Sequence, residues 1–202
     1  MGEGGGENTY DYIVAGAGSA GSLLANRLSA EPDARVLVLE AGGKDDWIWF
    51  HIPVGYLFAI GNPRSDWCFR TVSEAGLNGR ALSYPRGKVI GGSSAINAMI
   101  YIRCQAEDYD NWAALGNTGW SYEEVLPYFR RAEDNNRLAD RYHGDGGPLW
   151  VSDQVGPHPI SRAFVKAAQQ WGLPYNPDFN GETMYGAGLY QVTCRDGRRR
   201  RG

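Results

Sequence analysis

The chain has 202 residues, a formal net charge of −3 and a hydrophobic content of 43%. This composition is typical of a globular protein, and its slight acidity argues against a dedicated nucleic-acid-binding protein. The sequence contains no run of about 18 apolar residues that would predict a membrane span. Cys68, Cys104 and Cys194 are odd in number and widely spaced, which favours reduced thiols in a cytoplasmic protein over a disulfide framework.

Residues 1–9 are rich in glycine and glutamate and predict a disordered leader rather than a signal peptide. The apolar run Ile13-Val14-Ala15 then predicts a short buried strand. Helical spacing of apolar residues predicts a helix from Ser19 to Ala30. The continuous run from Val36 to Leu39 predicts a parallel strand that is buried on both faces.

The turn between the first strand and the helix reads Gly16-x-Gly18-x-x-Gly21, and the second strand ends at Glu40. This order of elements is the fingerprint of a dinucleotide site. Gly16 would make the tight turn, Gly18 would admit a pyrophosphate to the helix N-terminus, and Gly21 would let helix and strand pack closely. Glu40 would accept hydrogen bonds from ribose hydroxyls and disfavour a 2′-phosphate. The alternative is a glycine turn in an ordinary α/β protein.

The segment from Gly42 to Tyr84 is rich in aromatic residues among Gly, Pro and Asp. It would cover a cofactor, form a subunit contact or make a small loop-borne core. A second motif, from Arg86 to Asn97, places a glycine pair before Ser93, Ser94 and Ala95. Such small residues let the backbone pass close to a flat or anionic ligand. The alternative is a solvent loop joined to a buried strand over residues 98–102.

The remaining sequence predicts helices that belong to later parts of the fold. Ser121 and Glu124 form a capping box that starts a helix running toward Asn135, in which Pro127 is expected to cause a kink or a split. A second helix, ending near Gly172, has one apolar face that is expected to belong to the core; its residues are Ile160, Phe164, Ala167, Ala168 and Trp171. Residues 186–193 predict a strand.

The stretch Gly87-Lys88-Val89-Ile90-Gly91-Gly92-Ser93-Ser94-Ala95-Ile96-Asn97, followed by Tyr101, resembles the first signature of the glucose-methanol-choline (GMC) oxidoreductases. The resemblance extends to shorter segments along most of the chain, which are Asp11-Tyr12-Ile13-Val14, Glu40-Ala41-Gly42, Asp66-Trp67-Cys68-Phe69, Asp108-Tyr109-Asp110-Asn111-Trp112, Gly119-Trp120-Ser121-Tyr122 and His143-Gly144 with Gly147-Pro148-Leu149. Within this family, the chain resembles bacterial choline-dehydrogenase-like members.

The resemblance implies an α/β fold: a Rossmann-like FAD-binding domain with a parallel sheet over residues 10–155, and the start of an α+β substrate domain over residues 156–202. It implies FAD as cofactor and the oxidation of a primary alcohol, such as a choline-like compound, to an aldehyde, with hydride passing to flavin N5. Family members are more than twice as long, so we expect this chain to be an N-terminal part that is inactive alone. The arginines at 198–201 are interpreted as an accidental end rather than a basic patch.

The predicted cofactor-binding residues come from the two glycine motifs and the end of the second strand. They are Gly16, Gly18, Ser19, Ala20, Gly21, Glu40, Ala41, Gly87, Val89, Gly91, Gly92, Ser93, Asn97 and Ala98. Ile96 stands where some family members carry a histidine bonded to the flavin, so we expect noncovalent FAD. Cys104 also departs from the signature, which has Pro, Ala or Gly there.

No catalytic residue and no metal site is predicted in this chain, because the family's catalytic histidine lies far toward the C-terminus. His51, His143 and His158 are interpreted as loop histidines, with His143 in a structural turn. The expected partners are FAD and, in the full-length form, a small alcohol, with no nucleic acid and an open oligomeric state. The alternatives are a noncatalytic flavin-binding module and an NAD-dependent dehydrogenase that uses the first motif alone.

Overall fold

The computed structural model describes residues 9–199, which divide into two compact units. The first ends at Ala98 and the second begins at Met99. The helices and strands of the first unit are β1 (Tyr12–Ala15), α1 (Ser19–Leu28), β2 (Val36–Leu39), α2 (Tyr56–Ala59), β3 (Phe69–Arg70) and β4 (Ser83–Tyr84). Those of the second unit are α3 (Ala106–Ala114), α4 (Tyr122–Ala132), β5 (Glu133–Asn135), β6 (Leu149–Val151), α5 (Pro159–Gln170), β7 (Cys194–Arg195) and β8 (Arg198–Arg199).

The first unit begins with the predicted strand, glycine turn, helix and strand. β1 and β2 pair in parallel, with Tyr12 opposite Val36 and Ala15 opposite Leu39. This arrangement confirms the predicted α/β, Rossmann-like fold class. The sheet has two strands among the described residues, so its strands are less buried than predicted: Leu39 is 52% exposed. The helix ends at Leu28, two residues before the predicted Ala30.

The core of the first unit joins the aromatic segment to the second glycine motif. Phe50 and Ala59 come from the aromatic segment, whereas Val89, Ala95 and Ile96 come from the motif, and all five are buried together. The segment between Gly42 and Tyr84 therefore contributes to a small core, which is one of the three roles considered for it, and this core packs against the second motif.

Two helices of the second unit begin with a capping box. In α4 the box joins Ser121 and Glu124, as predicted. In α3 a second box, which was not predicted, joins Gln105 and Asp108. α4 is one helix that continues through Pro127, so it is not split there, because a proline in the second turn removes a single backbone hydrogen bond. The helix ends at Ala132 rather than near Asn135, since Glu133 is already extended and starts β5.

The predicted strands over residues 98–102 and 186–193 are not continuous in the structure. Isolated bridges replace them: Val192 pairs with both Ile100 and Ser152, and Ala187 pairs with Tyr175. Met99 has a φ of 62° and Gly186 a φ of 132°, and such left-handed backbone conformations interrupt a regular strand. The chain continues into a short antiparallel hairpin formed by β7 and β8.

The apolar face of α5 was predicted to lie in the core, and this prediction is wrong for its large side chains. Ile160 is 70% exposed, Phe164 is 74% exposed and Trp171, the C-cap residue, is 83% exposed. The helix instead buries Val165. Periodicity reports that a helix has two unlike faces, but it does not report which neighbour covers either face.

Several predictions concern residues or boundaries that the structure does not decide. The first eight residues of the predicted leader lie outside the described range, as do Arg200 and Arg201 of the arginine run that was interpreted as an accidental end. The predicted domain boundary at residue 156 falls inside the second compact unit and stays a prediction. Over residues 9–199, the structure has no helix that is both long and apolar enough to cross a membrane.

Candidate cofactor-binding site

A cleft of about 910 Å³ lies at the carboxyl ends of β1 and β2 in the first unit. This volume is within the usual range for small-molecule sites. Most of the predicted cofactor-binding residues line it, namely Gly16, Gly18, Ser19, Ala20, Gly21, Glu40, Ala41, Gly87, Gly92 and Ser93. The structure therefore brings the two glycine motifs and the end of β2 together around one space.

The glycines of the first motif meet different constraints. Gly16 has a φ of +96°, a conformation that only glycine adopts without strain. A Cβ on Gly21 would lie 1.8 Å from the carbonyl oxygen of Gly16, so helix and turn pack without space for a side chain. A Cβ on Gly18 would meet only the Cα of Gly92, at 3.8 Å. The position that a side chain of Gly18 would occupy is therefore not filled by the protein.

The N-terminus of α1 points its first turn at this cleft. Gly18 is the N-cap and no side chain caps the helix there, while Ser19, Ala20 and Gly21 line the cleft. The first backbone N–H groups of a helix and its dipole attract an anion. The end of α1 is therefore suited to a phosphate group.

Glu40 supports the glycine turn as well as lining the cleft. Its Oε2 accepts a hydrogen bond from the backbone N–H of Ala17, and its Oε1 accepts one from the backbone N–H of Gly42, both at 2.7 Å. Each carboxylate oxygen has a second acceptor site, which leaves capacity for ribose hydroxyls. The sequence predicted a ligand-binding role for this residue, and the structure adds a supporting one.

The second motif passes directly against the first. The N–H of Gly91 donates to the carbonyl oxygen of Ala17 at 2.8 Å. A Cβ on Gly92 would lie 2.8 Å from the Cα of Gly18, and one on Gly87 would lie 2.2 Å from the carbonyl carbon of Gly92. Three backbone segments therefore touch at glycines, and side chains at Gly87 or Gly92 would separate them.

Four predicted residues do not line the cleft. Val89 is buried in the core, and Gly91, with a φ of 93°, makes the turn that precedes Gly92. Asn97 and Ala98 follow the 3₁₀ helix Gly92–Ala95 and also lie outside the lining. Their predicted cofactor contacts stay predictions.

Sequence reasoning missed five lining residues. Ala15 and Leu39 end the two parallel strands, and Trp67, Phe69 and Arg86 come from the segments around β3 and β4. Ala15 and Leu39 could have been predicted from the sequence, because ligands bind at the carboxyl ends of parallel strands. The other three depend on the pairing of β3 with β4, which places Phe69 opposite Tyr84.

The buried carboxylate of Asp66 fixes the loop that carries two of these residues. Asp66 accepts hydrogen bonds from the backbone N–H groups of Gly61, Cys68 and Arg86 at 2.7, 2.9 and 3.0 Å. Burial acts to raise the pKa of Asp66, but these N–H donors outweigh it and lower the pKa. The rings of Trp67 and Phe69 stack with centroids 5.7 Å apart, so this wall of the cleft is aromatic.

His143 lies in the second unit within a buried network of charged side chains. Its Nδ1 is 3.0 Å from Glu133 and its Nε2 is 3.0 Å from Asp178. Glu133 also pairs with Arg103, and both of those side chains are buried. Burial acts to lower the pKa of His143, but the hydrogen bonds and charges of Asp178 and Glu133 outweigh it and raise the pKa to about 9.

These contacts indicate a structural role for His143. Both ring nitrogens face carboxylates, so the imidazolium is the stable form near neutral pH and it has no lone pair with which to accept a proton. His158 caps α5, because its Nδ1 accepts from the N–H of Ile160 at 3.2 Å. Within residues 9–199, no group of three or more His, Cys, Asp or Glu side chains is arranged to hold a metal ion.

Comparison with known proteins decides the family. The model of the GMC oxidoreductase family matches residues 10–202. The chain belongs to the GMC oxidoreductase family. Membership confirms the resemblance of the second motif and implies FAD as the cofactor.

Relatives and solved structures agree with this family. The chain is 45% identical over 191 residues to an alcohol dehydrogenase [acceptor] of Pseudomonas putida, covering 94% of this chain and 35% of that protein. It is 45% identical over 198 residues to the mitochondrial choline dehydrogenase of Homo sapiens, covering 94% and 33%. A crystal structure of pyridoxine 4-oxidase from Mesorbium loti is 39% identical and superposes with a TM-score of 0.89 over 96% of this chain and 38% of that one.

The chain thus spans about a third of the length of the curated relatives that it matches. The region it spans includes the glycine cleft.

Proposed function

We propose that the cleft of the first unit binds FAD noncovalently, and that the complete protein is an FAD-dependent oxidoreductase acting on the CH–OH group of a primary alcohol. The observation that carries the proposal is the contact of Gly18, Gly87 and Gly92, where a Cβ at Gly87 or Gly92 would overlap backbone atoms. Such a side-chain-free junction beside a helix N-terminus admits a phosphate-bearing ligand close to the backbone.

The residues that are present fit FAD. The N-terminus of α1 would hold the diphosphate, and Glu40 would bind the adenosine ribose. Glu40 also argues against the 2′-phosphate of NADP through charge repulsion. The second motif, which family membership identifies as the GMC signature, argues against an NAD-dependent dehydrogenase built on the first motif alone.

Noncovalent binding is supported by the surroundings of Ile96. This residue stands where some family members carry a histidine bonded to the flavin, and it is 2% exposed in the core with Phe50 and Val89. A hydrocarbon side chain offers no nucleophile for a covalent bond to a cofactor.

A primary alcohol, with choline-like compounds as one class, is the proposed substrate. Support comes from the relatives named as alcohol and choline dehydrogenases. A bound flavin supplies a hydride acceptor, and the reaction also requires a base for the alcohol proton. His143 is committed to Glu133 and Asp178, so we propose that this chain alone binds flavin without turnover.

A cytoplasmic location is part of the proposal. Its support is the set of three cysteines, none of which forms a disulfide in the described residues. Unpaired thiols are typical of a reducing compartment. Fractionation of the source cells with a compartment marker tests this point, and recovery with an organelle or secreted fraction would contradict it.

Visible absorption of the purified chain after incubation with FAD and removal of excess ligand tests the cofactor assignment. We expect a bound flavin spectrum that acid or heat releases quantitatively as FAD, because no covalent bond forms. A chain that retains no flavin contradicts the assignment, and flavin that stays with the denatured chain contradicts noncovalent binding.

Anaerobic addition of choline or simple primary alcohols to the flavin-loaded chain tests the absence of turnover. We expect the flavin absorbance to persist, while dithionite bleaches it as a positive control. Bleaching by an alcohol would show that a residue of this chain acts as the base.

A further inference from the structure

Among the described residues that line the cofactor cleft, Arg86 is the sole one with a cationic side chain. We propose that the Arg86 guanidinium binds the diphosphate of FAD and is the residue through which this site selects a charged dinucleotide. The inference rests on the proposed FAD function. It adds a specific ionic contact to the backbone N–H groups of the glycine turn.

The backbone places Arg86 at the junction of the two glycine motifs. Its neighbour Gly87 abuts Gly92, which in turn abuts Gly18 at the start of α1. Arg86 is therefore one of the two side chains that flank Gly87 where the three backbones meet; the other, Lys88, lies over the Trp67 ring with its Nζ 4.7 Å from the ring centroid and does not line the cleft. Arg86 lines the same cleft as the helix N-terminus that is suited to a phosphate.

The backbone of Arg86 is fixed on both sides of its Cα. Its N–H donates to Asp66 Oδ1 at 3.0 Å, and its carbonyl oxygen accepts from the N–H of Trp67 at 2.9 Å. Asp66 is 2% exposed, so this anchor is shielded from water. A buried charged acceptor of this kind holds its partners more firmly than an exposed one.

The guanidinium of Arg86 packs against an aromatic ring. Its Cζ lies 4.1 Å from the centroid of the Tyr84 ring, and its Nη1 donates to the carbonyl oxygen of Pro85 at 2.7 Å. Guanidinium has five N–H donors in one plane, and the bond to Pro85 uses one of them. Donors therefore remain for the paired oxygens of a phosphate, which Arg binds in a two-pronged manner.

The negative charges of the proposed ligand and of Glu40 favour a cationic side chain in the cleft. The diphosphate of FAD is dianionic at neutral pH, and Glu40 contributes a further negative charge to the same cleft. A helix N-terminus supplies a partial charge of roughly half a unit. Arg86 contributes the full positive charge that the backbone does not supply.

The test compares ligands that carry or lack the diphosphate. The affinities of the 202-residue chain and its Arg86→Met variant are measured for FAD, ADP and adenosine by calorimetry and by flavin fluorescence. We expect Arg86→Met to weaken FAD and ADP binding by about 10- to 100-fold, which is typical of losing a charge-assisted contact. Adenosine binding should change by less than about twofold, because adenosine has no phosphate.

Two further variants and a salt series sharpen the test. Arg86→Gln should behave like Arg86→Met, whereas Arg86→Lys should recover part of the affinity, because it keeps the charge but not the planar fork. Sodium chloride should weaken FAD binding more steeply in the unmodified chain than in Arg86→Met. The matched control is Arg80→Met, since Arg80 is exposed, bonds to the carbonyl oxygen of Leu77 and does not line the cleft.

The outcomes separate this inference from the proposed function. If the unmodified chain takes up no FAD, both are wrong. If it binds FAD and Arg86→Met and Arg86→Gln bind FAD and ADP equally well, the role of Arg86 alone is wrong. Equal losses for ADP and adenosine would also contradict it, because they would mean that Arg86 shapes the pocket without recognising charge. Arg86 is exposed, so we expect each variant to fold, as circular dichroism checks.

Discussion

Gly18 and Gly21 lie three residues apart in one motif, but only at Gly21 does the protein leave no room for a side chain. A Cβ on Gly21 would collide with the Gly16 carbonyl oxygen at 1.8 Å, whereas a Cβ on Gly18 finds no protein atom closer than 3.8 Å. A substitution at Gly21 therefore disturbs the fold, and one at Gly18 fills the cleft.

Replacing Gly18 by valine should weaken FAD binding with little effect on folding. Overlap of this kind costs about 1–3 kcal/mol, or roughly 10- to 100-fold in affinity. Flavin titration and a urea melt of the same sample measure the two effects. Gly76→Val is the matched control, because a Cβ there meets no atom within 4 Å; equal flavin affinity in Gly18→Val and Gly76→Val would contradict the placement of the ligand.

Glu40→Ala should lower both FAD affinity and stability, because Glu40 accepts hydrogen bonds from Ala17 and Gly42 in addition to its proposed ribose contact. Leaving two backbone donors unpaired costs on the order of 1–3 kcal/mol. Thermal melts with and without FAD measure the two losses, with Glu31→Ala as an exposed acidic control. A Glu40→Ala chain that melts like the unmodified one, with undiminished flavin affinity, would remove both roles.

At the scale of elements, the buried charges of the second unit tie segments that are distant in sequence. Arg103 precedes α3, Glu133 opens β5, His143 lies in the loop before β6 and Asp178 follows α5. His143 contacts Glu133 and Asp178, and Glu133 contacts Arg103. Removing one member of such a cluster leaves an unpaired charge in the interior, which is strongly destabilising.

The protonation of His143 makes the stability of the second unit depend on pH. Folding raises the pKa of His143 to about 9, so its contribution is fully present below the unfolded pKa of about 6.5 and is lost as pH rises through 9. That contribution is of the order of 3 kcal/mol. Urea unfolding between pH 6 and pH 10 should show this decline, and His143→Gln should flatten it.

The control for this titration is His158→Asn, which removes an exposed histidine and keeps a residue that caps α5 well. We expect its pH profile to follow that of the unmodified chain. A His143→Gln profile that declines as steeply as the unmodified one would show that another group titrates in this range.

The two faces of α5 differ in what they contribute to stability. Val165 is buried, whereas Phe164 is 74% exposed. Val165→Ala should therefore lower the free energy of unfolding by about 1–2 kcal/mol, while Phe164→Ala should change it by less than about 0.5 kcal/mol. Urea melts of the two variants decide between this arrangement and the one that helical periodicity alone suggests.

At the scale of the whole molecule, elements that depend on neighbouring residues could be predicted from the sequence, whereas contacts between distant segments could not. The order of elements from β1 to Glu40 follows from neighbouring residues, and the structure reproduces it with a two-residue error at the end of α1 and a β2 strand that is less buried than predicted. Arg86 and Trp67 reach the cleft through hydrogen bonds to a distant segment. No local sequence pattern predicts such contacts, and none predicted the pairing of Arg103 with Glu133.

Exposed apolar residues also set how the chain behaves in solution. Ile160, Phe164 and Trp171 form one stripe along α5, and contiguous exposed patches of this kind promote association. We expect the apparent mass in light scattering to rise with protein concentration. Phe164→Glu combined with Trp171→Glu should reduce that rise without lowering the unfolding midpoint, since neither side chain is buried.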